Sequence, residues 1–150
     1  LVGTITELIM KVVVRNESNN PLPQYETAGA AGLDICCNRE VYLDCGTRDI
    51  VPTGLYVEIP EGYELQIRPR SGLAAKHGIT VVNSPGTIDS DYRGEICVIL
   101  INHGPRSVMF HKGDRIAQMV LAKVERVEWV ESDDLSETSR GENGFGSTGK

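Results

Sequence analysis

The sequence predicts an all-β protein of a single domain, and three observations predict it. Helical periodicity is nearly absent from the 150 residues. Short runs rich in β-branched residues recur instead, set apart by clusters of Gly, Pro, Asn and Asp. Where alternation is visible it is clean: Leu55, Val57 and Ile59 share one face of an extended chain, as do Tyr63, Leu65 and Ile67. A chain of this length forms one domain, or at most two very small ones, and buries about 70% of the surface its unfolded form exposes. That is enough for a core without disulfide or metal staples.

In chain order, strands are expected at 9–14, 33–37, 40–43, 54–59, 63–68, 79–83, 95–101, 107–110, 116–124 and 126–130. Ten short strands at this spacing fit a sandwich, a jelly roll or a barrel. The run Ile96 to Ile101 is apolar at every position, so it should be covered on both faces, for instance at a subunit interface. One short helix is expected over 71–78, capped by Ser71 and ended by Gly78. After Glu125 the composition turns acidic and polar. Residues 140–150 hold four glycines and are expected to form a flexible arm.

Charge and cysteine usage narrow the function. Lys and Arg number 15 and Asp and Glu 21, a net charge of -6 at pH 7. That argues against a general nucleic-acid binder, which carries a basic face. An anionic ligand would need a local basic pocket. The longest apolar run, Ile96 to Ile101, is too short to span a bilayer, and no basic-then-apolar signal opens the chain. Its start, at Leu1 rather than Met, is read as missing or processed. Cys36, Cys37, Cys45 and Cys97 show no CxxC spacing, so reduced thiols in the cytoplasm are expected rather than a zinc site or a disulfide framework. The sequon at Asn16 is read as chance without a secretion signal.

Several short motifs stand out. Gly144 to Gly149 spells GxGxxG, and Gly144 to Lys150 matches the start of a P-loop, but both need a strand before and a helix after. What remains is a glycine-rich tail whose backbone N–H groups, with Arg140, Ser147 and Thr148, could curl around an anion; a plain disordered tail is the alternative. Ser71 and His77 suggest a nucleophile and base, but no GxSxG elbow surrounds Ser71. Pro69-Arg70-Ser71-Gly72 suits phosphate binding at a helix start, against an ordinary cap. Residues 83–94 form a polar loop with Asp89, Asp91 and Tyr92, against a wide hairpin. Gln118 sits in an apolar run and needs a partner. Asp34 opens a strand.

Together these pieces have an order. AGLDI (31–35), PRSGLA (69–74), GTIDSDYRGE (86–95), GDRIAQMV (113–120) and RGENGFGSTG (140–149) closely resemble the five motifs of the trimeric dUTPase family. They stand in family order and span residues 31–149. The departure is Glu142-Asn143, where the family often has a small residue and another glycine; it bears on the arm's flexibility and leaves the phosphate contacts and the aromatic in place.

The resemblance implies a distorted jelly roll, of the kind also called a β-clip, over 1–137, with an arm at 138–150 that closes over a neighbouring subunit's site. It implies hydrolysis of dUTP to dUMP and pyrophosphate, with Mg2+ on the triphosphate, in a homotrimer with shared sites. Such an activity limits uracil in DNA and supplies dUMP for dTMP synthesis, in the cytoplasm, or the nucleus of a eukaryotic host. By motif match Asp89 is the general base that orients water toward the α-phosphorus. Asp34 meets Mg2+ through water, with no direct protein ligand. Arg70, Ser71, Gly72 and Gln118 hold the phosphates, and Arg140, Ser147 and Thr148 close from the arm. Asn83, Gly86, Thr87, Ile88 and Cys97 face the uracil edge. Tyr92 lies under the deoxyribose, and Phe145, followed by Gly146, stacks on the base. A rival is the dCTP deaminase branch, which carries a glutamate on the strand after the third motif; Ile96 to Ile101 contains no carboxylate. A non-catalytic binding protein is a rival of another class, and retention of Asp89 speaks against it.

Overall fold

Alternation settles which way the strands face. In the computed structural model, which describes residues 9–149, the inward positions of successive strands converge on one core. The elements are β1 (Val13–Asn16), β2 (Leu33–Cys36), β3 (Val41–Leu43), β4 (Arg48–Pro52), β5 (Leu55–Glu58), β6 (Tyr63–Arg68), α1 (Ser71–His77), β7 (Ile79–Val81), β8 (Gly86–Ile88), β9 (Cys97–Asn102), β10 (Val108–Phe110) and β11 (Arg115–Lys123). All pairings are antiparallel. They form four small sheets, ordered β1-β5, β10-β3, β2-β11-β6-β8 and β4-β9-β7, and none closes into a barrel. Val41, Leu43, Leu55, Val57, Leu65 and Ile67 all point inward, as the period of two requires. Each such side chain, fully buried, contributes about 1.5–3 kcal/mol.

The all-β class with one short helix holds, and several boundaries change. The strand expected at 9–14 is the shorter, later β1. Two strands were not anticipated, β4 and β8; the second lies inside the supposed polar loop. The run 96–101 does alternate: Val98 and Leu100 are buried, while Cys97, Ile99 and Ile101 face outward and are only partly covered. Ile50 and Val82 flank that outward face. No strand forms at 126–130. There Val127, Trp129 and Val130 lie exposed, Trp129 at 90% of its surface. Asn102, a polar residue fully buried in the core, has its partners. It donates to the carbonyls of Leu43 and Arg106 and accepts from the Gly104 amide.

Candidate functional site

The register of the largest sheet assembles the first part of the site. Asp34 of β2 pairs with Gln118 of β11, which pairs in turn with Arg68 of β6. From Arg68 the chain runs through Pro69 to Arg70 and into α1. Arg70 Nε therefore reaches Asp34 Oδ1 at 2.9 Å, in a half-buried ion pair. Arg115 Nη1 lies 3.3 Å from the other carboxylate oxygen. Gln118 Nε2 donates to the Pro69 carbonyl at 2.9 Å, which gives the polar residue in the apolar run its partner. A Cβ at Gly32 would lie 2.5 Å from Gln118 Oε1, so a larger residue there would push the Gln118 side chain aside. Arg115 Nη1 also stands 3.9 Å from Glu26 Oε1, so the two guanidinium groups at this end of the sheet face two carboxylates. Among the described residues the two Nη groups of Arg70 have no protein partner, so they are free for an anion.

Ser71 does not cap α1. Arg70 occupies the cap position with extended backbone, Ser71 is the first helical residue, and no side chain caps the start. Ser71 and Gly72 lie exposed beside Arg70. Gly78 does end the helix, in the left-handed conformation. Ser71 and His77 stand at the first and last positions of this helix, and nothing in the geometry pairs them as nucleophile and base.

The second part of the site follows the β7–β9 hairpin, which the Val82 amide extends by donating to Ile99 O at 2.9 Å. Residues 83–94 are more than a wide hairpin. After the exposed Asn83, Gly86 to Ile88 joins β6 as the outer strand of its sheet. One edge of Gly86, Thr87 and Ile88 therefore keeps backbone donors and acceptors that the sheet does not use. Asp89 follows, exposed, and opens a turn closed by the Tyr92 amide donating to its carbonyl at 3.1 Å. Cys97, opposite Pro52 at the start of β9, is partly buried, and that burial pushes its thiol pKa up. It stays an uncharged thiol near neutral pH.

Asp89 does not reach the Asp34–Arg70–Gln118 cluster within one chain, although Ser84 and Pro85 ahead of it line a shallow cavity with Arg68, Pro69 and Gln118. Ile88 stands opposite Leu65 and Gly86 opposite Ile67, so Asp89 continues toward Glu64. It lines a cleft with Gly62, Tyr63, Glu64, Val124 and Arg126. Gln118 stands opposite Arg68, at the other end of β6. Four residues of strand separate the two levels, roughly 13 Å. Beyond Arg126, which lines the Asp89 cleft, the described tail residues make no hydrogen bond to either part. Among the described residues, every hydrogen bond of the segment 125–149 is internal to it, such as Arg140 Nε to Asn143 O at 2.9 Å and Ser147 N to Gly144 O at 3.1 Å. Phe145 is fully exposed at a positive φ of 52°, followed by Gly146 at 81°. Arg140, Ser147 and Thr148 lie in the same exposed stretch. Lys150, the last P-loop position, lies outside the described residues. Arg115 and the β8 pairing were missed by sequence reasoning, although Arg115 stands inside GDRIAQMV.

The sequence profile of the dUTPase family matches residues 18–149. A deoxyuridine 5′-triphosphate nucleotidohydrolase of Anaeromyxobacter sp. (strain Fw109-5) is 58% identical over 129 residues, covering 86% of this chain and 88% of that protein. Among solved structures, a point mutant of the dUTPase of Staphylococcus bacteriophage 80alpha, with dUpNHpp, superposes with a TM-score of 0.84 at 25% identity, over 93% of this chain and 99% of that one. A mutant dUTPase from phage phi11 of S. aureus, described with a structural Mg(II) ion, gives a TM-score of 0.76 at 22% identity over 83% and 98%. The motif order, the fold and these matches agree: the chain belongs to the dUTPase family and is a dUTP diphosphatase, hydrolysing dUTP to dUMP.

Proposed function

We propose that one active site is built from three subunits. One observation carries this: Asp89 and the Asp34–Arg70–Gln118 cluster lie at opposite ends of β6, and the tail is bonded to neither. In this reading Arg70, Ser71, Gly72 and Gln118 of one subunit hold the phosphates. Asp89 of a second subunit accepts a proton from the water that attacks the α-phosphorus in line. An ionised, exposed carboxylate is suited to that task. The free edge at Gly86, Thr87 and Ile88, with Asn83 and the backbone of Cys97, reads the uracil edge. Cytosine presents an amino donor where uracil has a carbonyl, and the unpaired groups that result discriminate strongly. Tyr92 lies under the deoxyribose. The arm of a third subunit brings Arg140, Ser147 and Thr148 to the phosphates and Phe145 onto the base, with Gly146 shaping the turn; such stacking is worth roughly 1–3 kcal/mol.

Magnesium belongs to the same reading. Among the described residues no three His, Cys, Asp or Glu side chains gather to hold a metal. The carboxylate at the phosphate end, Asp34, is already held by Arg70 and Arg115. That donor set fits an ion that arrives on the triphosphate, keeps its waters, and meets Asp34 through one of them. When bound it neutralises phosphate charge; the protein's own part is positioning and hydrogen bonding.

The homotrimer is supported by the outward apolar face of Ile50, Ile99 and Ile101, and by the exposed Val127, Trp129 and Val130 in the arm's approach. No helix among the described residues is long and apolar enough to cross a membrane. A cytoplasmic setting accords with the bacterial source of the 58% identical relative. The substrate test is pyrophosphate release from dUTP, dCTP, dTTP and UTP side by side. Release from dUTP should dominate; equal turnover of dCTP or UTP would contradict the pocket described.

A further inference from the structure

The ring of Tyr92 is held from two sides, and neither hold comes from a residue assigned to substrate. Its hydroxyl donates to the Glu95 carbonyl at 2.9 Å. Against the hydroxyl end of the ring runs Gly94: a Cβ there would lie 2.6 Å from Cζ and 3.0 Å from Cε2 of Tyr92, and closer still to its hydroxyl. Real side-chain carbons do not approach so near, so any residue but glycine displaces the ring. Glu95 is itself anchored. The Gly54 amide donates to Glu95 Oε1 at 2.8 Å. The next residue is stitched to the same turn, Ile96 N to Leu55 O at 2.8 Å and Thr53 Oγ1 to Ile96 O at 2.6 Å. Thr53 is almost fully buried, so that turn is fixed by the core.

We infer that Gly94 and Glu95 form the seat of Tyr92 and thereby set discrimination between deoxyribose and ribose. The inference rests on Tyr92 lying under the sugar. A ribose differs by one oxygen, so a ring displacement of about an ångström decides whether it is admitted. Gly94 leaves the space that the hydroxyl end of the ring fills. The Glu95 carboxylate, tied to the Gly54 amide by a charge-assisted bond, keeps the accepting carbonyl in place. Both act through Tyr92 and are positioning residues.

The test measures kcat/KM for dUTP and for UTP on the assembled full chain. The variants are Gly94→Ala, Glu95→Ala, Glu95→Gln, Tyr92→Phe and Tyr92→Ala. Gly94→Ala and Glu95→Ala should raise the UTP-to-dUTP ratio about fivefold or more, the effect of one lost hydrogen bond or a comparable displacement. Glu95→Gln keeps an oxygen acceptor for the Gly54 amide and should restore the ratio to within about twofold of wild type. Tyr92→Phe removes only the hydroxyl; it provides the same test should Gly94→Ala fail to fold, and its ratio should rise too. Unchanged ratios in Gly94→Ala, Glu95→Ala and Tyr92→Phe, with a raised ratio in Tyr92→Ala, would overturn the seat and leave Tyr92 as the sugar wall. An unchanged ratio in Tyr92→Ala would overturn both.

Discussion

Asp89 and Asn102 are both polar, and burial gives them opposite consequences on substitution. Asp89 is exposed and makes no side-chain hydrogen bond among the described residues, so Asp89→Asn should leave the fold and dUTP binding intact. Turnover should fall about 10²–10⁴-fold, the usual worth of one general base. Steady-state kinetics beside a binding titration checks this; activity within twofold of wild type would remove Asp89 from the mechanism. Asn102→Leu should do the reverse. It orphans two carbonyls and one amide and should cost about 2–4 kcal/mol in denaturant unfolding, with no direct effect on chemistry. The need of Gln118 for a partner was legible, because a polar side chain in an apolar run must have one, and Pro69 O supplies it; Asp34, Arg70 and Asp89 stood out only through the order of the five motifs. The Arg115 contact was not legible, because a register shift in β11 sets which residue faces Asp34, and composition carries no trace of it. Nor was the cap of α1: Ser71 is a good capping residue, but the extended backbone falls one position earlier, at Arg70.

Strands that alternate were readable, and those that depend on a distant neighbour were not. β5 and β6 show their faces within four and six letters. β8 is three residues, Gly-Thr-Ile, and is a strand only because β6 offers it an edge. The segment 126–130 presents the opposite case: its letters favour a strand, yet it pairs with no edge of this chain. The arm beyond it contributes nothing to the core. Removing residues 138–150 should therefore leave the melting temperature nearly unchanged and sharply reduce activity. A collapsed melting transition would contradict the separateness of the arm, and unchanged activity would contradict its part in closure.

The whole molecule has an apolar surface that one chain leaves uncovered. Ile50 and Ile99 stand opposite each other on β4 and β9 and point outward, with Ile101 beside them. Ile99→Lys should leave the inward face of β9 intact and drive the protein toward monomers in sedimentation, with activity lost in parallel; a stable active trimer would place the interface elsewhere. The central claim, that Asp89 and the arm of one site come from different subunits, is tested most directly by complementation. Asp89→Ala and a chain lacking residues 138–150 should each be nearly inactive. Unfolded together in equal amounts and reassembled, about three quarters of closed threefold rings are mixed, each with one complete site in three. The account predicts recovery of about a quarter of wild-type activity. If Asp89 and the arm of one chain served the same site, every site would lack one or the other, and mixing would restore nothing.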